Sequence, residues 1–562
     1  MAIDCAIRGG RVVDGTGAAA RRADVGIDAG RIVAVGRVDA FARETLDARD
    51  CIVTPGFIDP HTHLDAQLCW DPQATPTSLH GVTSVVMGLC GFGVAPCPDG
   101  GGDYLLRSLE VVEEIPFEST HKGVDFEWSS WAEFFACVGT KRPGVNVAGY
   151  VPHSALRYYA MGDRARTERA DARDLERMRS ELERALAAGA VGLASSRGPN
   201  HNDAYGKPVP SRLADDAELR MLVAACRGRS WQINVQTKFG GDAEALTAEV
   251  ERYAGWSVEA GVRLSWTPFH AEPGSELWRD VLAHNRSLHE RGIEVAPQVA
   301  PQPITTVFRF DELSFVALVA GWREAFRGFF ELSRAERLER LGAASFRAVL
   351  RAAPEDPHER FAPSYAEWMV AHSPSRPDAV GTSVAAAAGA AGQHPSDWLC
   401  ELVAADGLAT LIQVPVANRD REASAQLARD PGTLIGLGDS GAHVMTITNY
   451  TYPTVVLSDL VRERGALTLE TAVGRMTSHP AAFLGLPDRG VLAPGYRADI
   501  AVIDFDALGL GPMQVATDLP GGAPRLFQAA RGYRAVLVNG EVTLAADRLT
   551  GRRPGELIRC DS

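Results

Sequence analysis

A chain of 562 residues with 46% hydrophobic and 23% charged residues has ordinary globular composition, with apolar material for a large core and length beyond one common domain. Its 71 Asp and Glu against 57 Lys and Arg leave a net charge of −14, which repels nucleic acid and anionic membranes and makes a small molecule the default partner. No apolar run reaches the roughly 18 residues of a membrane span, "MAIDCAIRGGRVVDG" alternates like a strand and not like a signal peptide, and the nine cysteines are scattered as reduced thiols are; a cytoplasmic protein is the expectation.

Residues 4 to 54 read as short strands with Gly-rich turns, as in "CAIRGGRVVDGTG" and "ADVGIDAGRIVAVG". Eight candidate barrel strands follow: "GFID", "TSVVMG", "VNVAGYV", "AVGLASS", "WQINVQT", "VRLSWTP", "IEVAPQVA" and "LIGLGD". Many are nearly continuous apolar runs, as parallel strands buried on both faces require, and helical stretches such as "RADARDLERMRSELERALAAG" separate most of them. Residues 305–400 break the rhythm with a helix-rich, aromatic stretch, predicted to be a helical insertion. It serves either as a lid over the barrel mouth or as a long connection, and its aromatic residues equally suit a subunit interface in a homo-oligomer. After residue 485 the β texture returns, in "ADIAVIDFDAL" and "GYRAVLVNGEVTLAADRLTG". Each end alone has too few strands to bury a face, so the two are expected to pair. The predicted fold is α/β: a TIM-like (β/α)8 barrel over 55–485, with a small composite β-domain from residues 1–54 and 486–562.

Within "TPGFIDPHTHLD", His61 and His63 sit one residue apart at a strand end, and strand periodicity puts both imidazoles on one face, within reach of one ion. The stretch resembles the signature of the amidohydrolase superfamily, where two histidines at the end of the first barrel strand bind a divalent metal. "GVTSVVMGLCGFGVAPC" resembles a turn of its D-aminoacylase branch, the N-acyl-D-amino-acid deacylases, in which a cysteine ending the second strand joins the metal; Cys90 matches it. "LIGLGDSGAHV" places Asp439 where the family keeps its catalytic aspartate, and "TSHPAAFLGLPDRGVLAPGYRADIAVIDFD" is similar to its C-terminal signature. The likeness is strongest over residues 50–100 and 430–540 and weak in the insertion.

The pattern departs from the branch at two further metal histidines, expected at the ends of the fifth and sixth strands. Gln236 and Trp266 stand at the expected positions, with His270 four residues beyond the second. An amide oxygen is a poor zinc ligand and an indole nitrogen has no lone pair to give. The resemblance therefore implies one divalent ion, zinc by its ligands, held by His61, His63 and Cys90, with Asp439 as fourth ligand or free base. A carboxylate-bearing substrate calls for a cation, and Arg197 or Lys238 is the expectation, with His153, Arg157, His201, His270 and His443 also within reach of strand ends. The implied function is metal-dependent hydrolysis of the amide C–N bond of an N-acyl D-amino acid or related small amide. Metal-independent chemistry on an amide, ester or cyclic imide, and a non-catalytic ligand-binding or scaffold role, stay open.

Overall fold

The computed structural model describes residues 2–236, 241–311, 315–355 and 361–560. Its centre is an eight-stranded parallel sheet of Phe57–Asp59, Val82–Met87, Asn146–Pro152, Gly192–Ser196, Ser230–Asn234, Arg263–Phe269, Val295–Val299 and Leu434–Ile435, each hydrogen-bonded to the next. All eight candidate strands of the sequence fall on these. Nearly every residue in them is buried, because helices cover the outer face while side chains fill the lumen. The helix Ala172–Ala187 shows how the sequence sets the outer layer. Asp171 accepts from the backbone of Arg173 and Asp174, and Asp174 returns the bond to the Asp171 amide, so a capping box starts the helix before its apolar face begins.

The sheet closes beyond the strand ends. Leu434–Ile435 is too short to reach the first strand, and closure comes from a parallel bridge between Thr62 and Ser440, with the His63 amide donating to the Ser440 carbonyl at 2.7 Å. Gly441, at φ +91°, makes this approach possible: a Cβ there would stand 2.6 Å from the His63 carbonyl oxygen.

The two chain ends share a nine-stranded sheet, joined where Ile52–Pro55 runs antiparallel to Ile500–Ile503. Beneath it Asp499 accepts from Asn146 on the third barrel strand (3.0 Å) and from the Asn539 amide (2.8 Å), and is ion-paired with buried Arg489. This network ties the β-domain to the base of the barrel. A separate ribbon, Gly509–Leu519 with Ala523–Arg531, leaves that sheet and reaches the barrel mouth, where the Leu526 amide donates to the Val444 carbonyl at 2.7 Å.

The segment expected as a helical insertion over 305–400 is only partly helical. Ile304–Phe308, Met369–His372 and Leu411–Ala417 form an antiparallel three-stranded sheet, packed with helices around a core of its own that includes Trp322, Phe326 and Trp368. The insertion thus runs past residue 400: "LIQVPVA" is a strand because it pairs with "ITTVF" about a hundred residues earlier, Thr305 opposite Pro415. Among the described residues no helix is long and apolar enough to cross a membrane.

Candidate metal centre

Three buried side chains converge where the first and second strands end. His61, His63 and Cys90 each offer a ligand atom, and these atoms lie within 4.8 Å of one another. The His61 Nε2 is 3.3 Å from the Cys90 Sγ and 3.2 Å from the Asp439 Oδ1, and the His63 Nε2 is 3.7 Å from the same oxygen. The closure at Thr62–Ser440 is what brings Asp439 to the histidines. Cys90 and Asp439 both hold left-handed backbone, φ +55° and +47°, a conformation that non-glycine residues keep mainly where the surroundings enforce it.

Each histidine has a polar partner behind it, hydrogen-bonded at His61 and a facing carboxylate at His63. The Nδ1 of His61 meets the Gln298 Oε1 at 2.5 Å, and the Gln298 amide nitrogen donates to the Ser265 Oγ at 3.1 Å. With Oε1 facing it, the imidazole donates from Nδ1 and turns Nε2 toward Cys90 and Asp439. The Nδ1 of His63 faces the Glu113 Oε1 at 3.2 Å, both side chains 4% exposed. Glu113 caps the C-terminus of the helix Gly102–Val112, and its neighbour Glu114 pairs with His443, Nδ1 to Oε2 at 3.3 Å. The Cys90 amide donates to the Gln232 Oε1 at 3.1 Å.

The electrostatics fit a cation. Burial raises the Cys90 thiol and the Asp439 carboxyl, yet His61 and His63 outweigh it and hold both below their ordinary values. Burial conversely disfavours charge on His61, but Cys90 and Asp439 push it up to about 9. A thiolate and a carboxylate facing two imidazoles form a donor set in which protons stand where an ion would bind, and metal binding would release them. The soft sulfur with imidazole nitrogens suits zinc among the divalent ions.

The model of the Amidohydrolase family matches residues 44–544. The chain belongs to the amidohydrolase family. This amidohydrolase is 29% identical over 568 residues to the N-acyl-D-glutamate deacylase of Alcaligenes xylosoxydans xylosoxydans, covering 100% of the chain and 97% of the relative. It is 26% identical over 566 residues to the D-aminoacylase of the same organism, covering 99% and 97%. Among solved structures, it superposes on an N-acyl-D-glutamate deacylase from Bordetella bronchiseptica, complexed with zinc and a phosphonate inhibitor that mimics the tetrahedral intermediate. The TM-score is 0.65 at 27% identity, with both chains fully covered. The amidohydrolase is therefore a hydrolase of carbon–nitrogen bonds other than peptide bonds, of the D-aminoacylase branch.

The other sequence candidates are placed differently. Gln236 is exposed beyond the end of the fifth strand, and Trp266 is fully buried on the outer face. The lumen positions of strands five and six are Gln232 opposite Ser265 and Asn234 opposite Thr267, and none of the four is a histidine. Arg197 is spent on Asp216 at 2.8 Å, which neutralises it as a free clamp. Lys238 lies outside the described residues. His270 is half-buried one residue past the sixth strand and is not in the ligand cluster. His153 and Arg157 are fully buried on Glu218, with His153 3.0 Å from its Oε1, so they support the wall and do not face the mouth. His201 bonds the Ser196 Oγ at 2.6 Å and packs on Phe92, and burial pushes its pKa down to about 3.

Sequence reading missed Glu113, Glu114, Gln232 and Gln298. A signal existed for Gln298: a polar residue in the middle of the apolar run "VAPQV" has nowhere to point but the lumen. Glu113 and Glu114 carry none, since they enter the site from a loop after a helix.

Proposed function

We propose that this amidohydrolase is a mononuclear zinc deacylase of N-acyl-D-amino acids. The observation that carries the reading is the convergence of His61, His63 and Cys90 with the Asp439 Oδ1 3.2 Å from the His61 Nε2. Among the described residues this is the single group of three or more His, Cys, Asp or Glu that gathers so, and neutral Gln232, Asn234, Ser265 and Thr267 line the strands beside it, which supports one ion and not two. When bound, the ion would polarise the scissile carbonyl and lower the pKa of a water beside it.

The chain's own groups do the rest. His61, His63 and Cys90 hold the ion, and Asp439 stands as fourth ligand or as base. Its Oδ1 faces the histidines. Asp439 takes a proton from the attacking water as the C–O bond forms, then gives it to the nitrogen as the C–N bond breaks; the water's second proton passes from the new acid to the amine, leaving a carboxylate and an ammonium. Gln298 and Glu113 keep the rings aimed throughout.

The reading is tested by turnover of N-acetyl-D-glutamate, N-acetyl-D-aspartate and N-acetyl-D-methionine beside their L forms, by the zinc-loaded protein. Release of free amine from at least one D form, lost in Asp439→Asn, supports it. Full turnover in Asp439→Asn, or none by the wild type, would remove it.

A further inference from the structure

Outside the ligand cluster, Glu114 and His443 form a second histidine–carboxylate pair at the barrel mouth. Glu114 is clamped: its Oε2 lies 3.3 Å from the His443 Nδ1 and also accepts from the Thr446 Oγ1 at 2.5 Å. The backbones are locked as well, because the His443 amide donates to the Glu113 carbonyl. Both residues adopt left-handed backbone, φ +51° and +49°, which their side chains disfavour and which the surrounding bonds must hold in place.

The pair's geometry leaves one group to spare. With Nδ1 committed to Glu114, the nitrogen that His443 can offer is Nε2, and among the described residues Nε2 meets no protein acceptor. The His443 side chain is 28% exposed, where His61 and His63 are 1% and 4% exposed, so it is the histidine of this group that opens toward the mouth. A carboxylate behind an imidazole stabilises positive charge on it and strengthens its other N–H as a donor. Arg197, the cation nearest in expectation, is neutralised by Asp216.

We propose that His443, braced by Glu114, donates its Nε2–H to the α-carboxylate of the substrate, making this pair the anion-recognising corner of the site. The identity of the ligand rests on the deacylase reading above. The pair is a binding and positioning device, distinct from the proton carrier Asp439.

Calorimetry on the zinc-loaded Asp439→Asn protein tests it, with N-acetyl-D-glutamate and its α-carboxamide as probes. Both probes keep the side-chain carboxylate, and only one keeps the α-carboxylate. Asn suits the left-handed backbone at 439, so the background keeps its geometry. The acid should bind tighter than the carboxamide by on the order of 10- to 100-fold, the worth of a charge-assisted hydrogen bond. His443→Asn should bring the two within about twofold. Glu114→Gln, which leaves the imidazole in place, should lower the ratio in smaller measure and covers the case in which His443→Asn does not fold. A ratio unchanged in either folded variant, or no binding of the acid, overturns the proposal. Loss of wild-type turnover with the ratio intact would instead sink the deacylase reading alone.

Discussion

Glu113 should tune metal affinity without touching the metal. It faces the His63 Nδ1 at 3.2 Å, both groups 4% exposed, so little solvent screens the pair. Burial works against charge on His63, yet Glu113 first, with Asp439 and Cys90, raises its pKa well above the ordinary value. Glu113→Gln keeps the volume and removes the charge. Partners behind a ligand histidine are worth about 10- to 100-fold in metal affinity, and the amide still offers an oxygen, so a loss of about 10-fold, or ~1.4 kcal/mol, is expected for Gln. Glu113→Ala, which removes both the charge and the side chain behind His63, should cost nearer 100-fold. The sign with pH follows from proton competition. A raised His63 pKa means the wild type must shed a proton to bind metal, so the gap between wild type and Glu113→Gln should widen as pH rises through neutrality. Competition for zinc with a chromophoric chelator at several pH values measures this. Equal zinc affinity in all three proteins, with only the melting temperature lowered, would show that Glu113 merely supports the loop and would refute the reasoning.

Gly441→Ala should weaken barrel closure, because its Cβ would stand 2.6 Å from the His63 carbonyl at φ +91°; a loss of about 1–3 kcal/mol in urea unfolding is expected, and no loss would mean that the loop is free to move. Gln298→Leu leaves the buried His61 Nδ1 without its 2.5 Å partner, and kcat should fall by about 10-fold or more at saturating zinc while KM changes little. His80 is buried between the Thr454 hydroxyl and the Gln528 carbonyl, and burial lowers its pKa from 6.5 to about 4. The unfolded chain therefore binds the extra proton between those values, and stability present above pH 6.5 is lost as pH falls toward 4. Compared with His80→Asn, the wild type should lose about 2 kcal/mol more between pH 7.5 and pH 5 in urea melts; parallel pH profiles would contradict this.

The barrel was legible because a parallel strand sheltered on both faces is built mostly of apolar or small residues, and "GLASS" or "VAPQV" flanked by helix signals has few other homes. The convergence of His61, Cys90 and Asp439 was legible for a related reason: all three stand at strand ends, which a parallel barrel gathers at one mouth. Side-chain parity was harder. In "VRLSWTP" the register turns Ser265 and Thr267 to the lumen and Trp266 away from it, while Gln236 shares the parity of Gln232 and Asn234 but lies past the strand end at Asn234. The insertion misled because its strands find partners about a hundred residues away, a distance at which local periodicity carries no information. The same holds for Glu113 and Glu114, whose meaning comes only from the loop across the mouth.

The central claim is a single ion held by the first and second strands. Mass spectrometry of metal per chain, on protein purified without added metal, tests it most directly in the wild type and in His61→Ala/His63→Ala. The account predicts about one zinc per chain in the first and none in the folded double variant. No metal in either folded protein, or the same content in both, would contradict it.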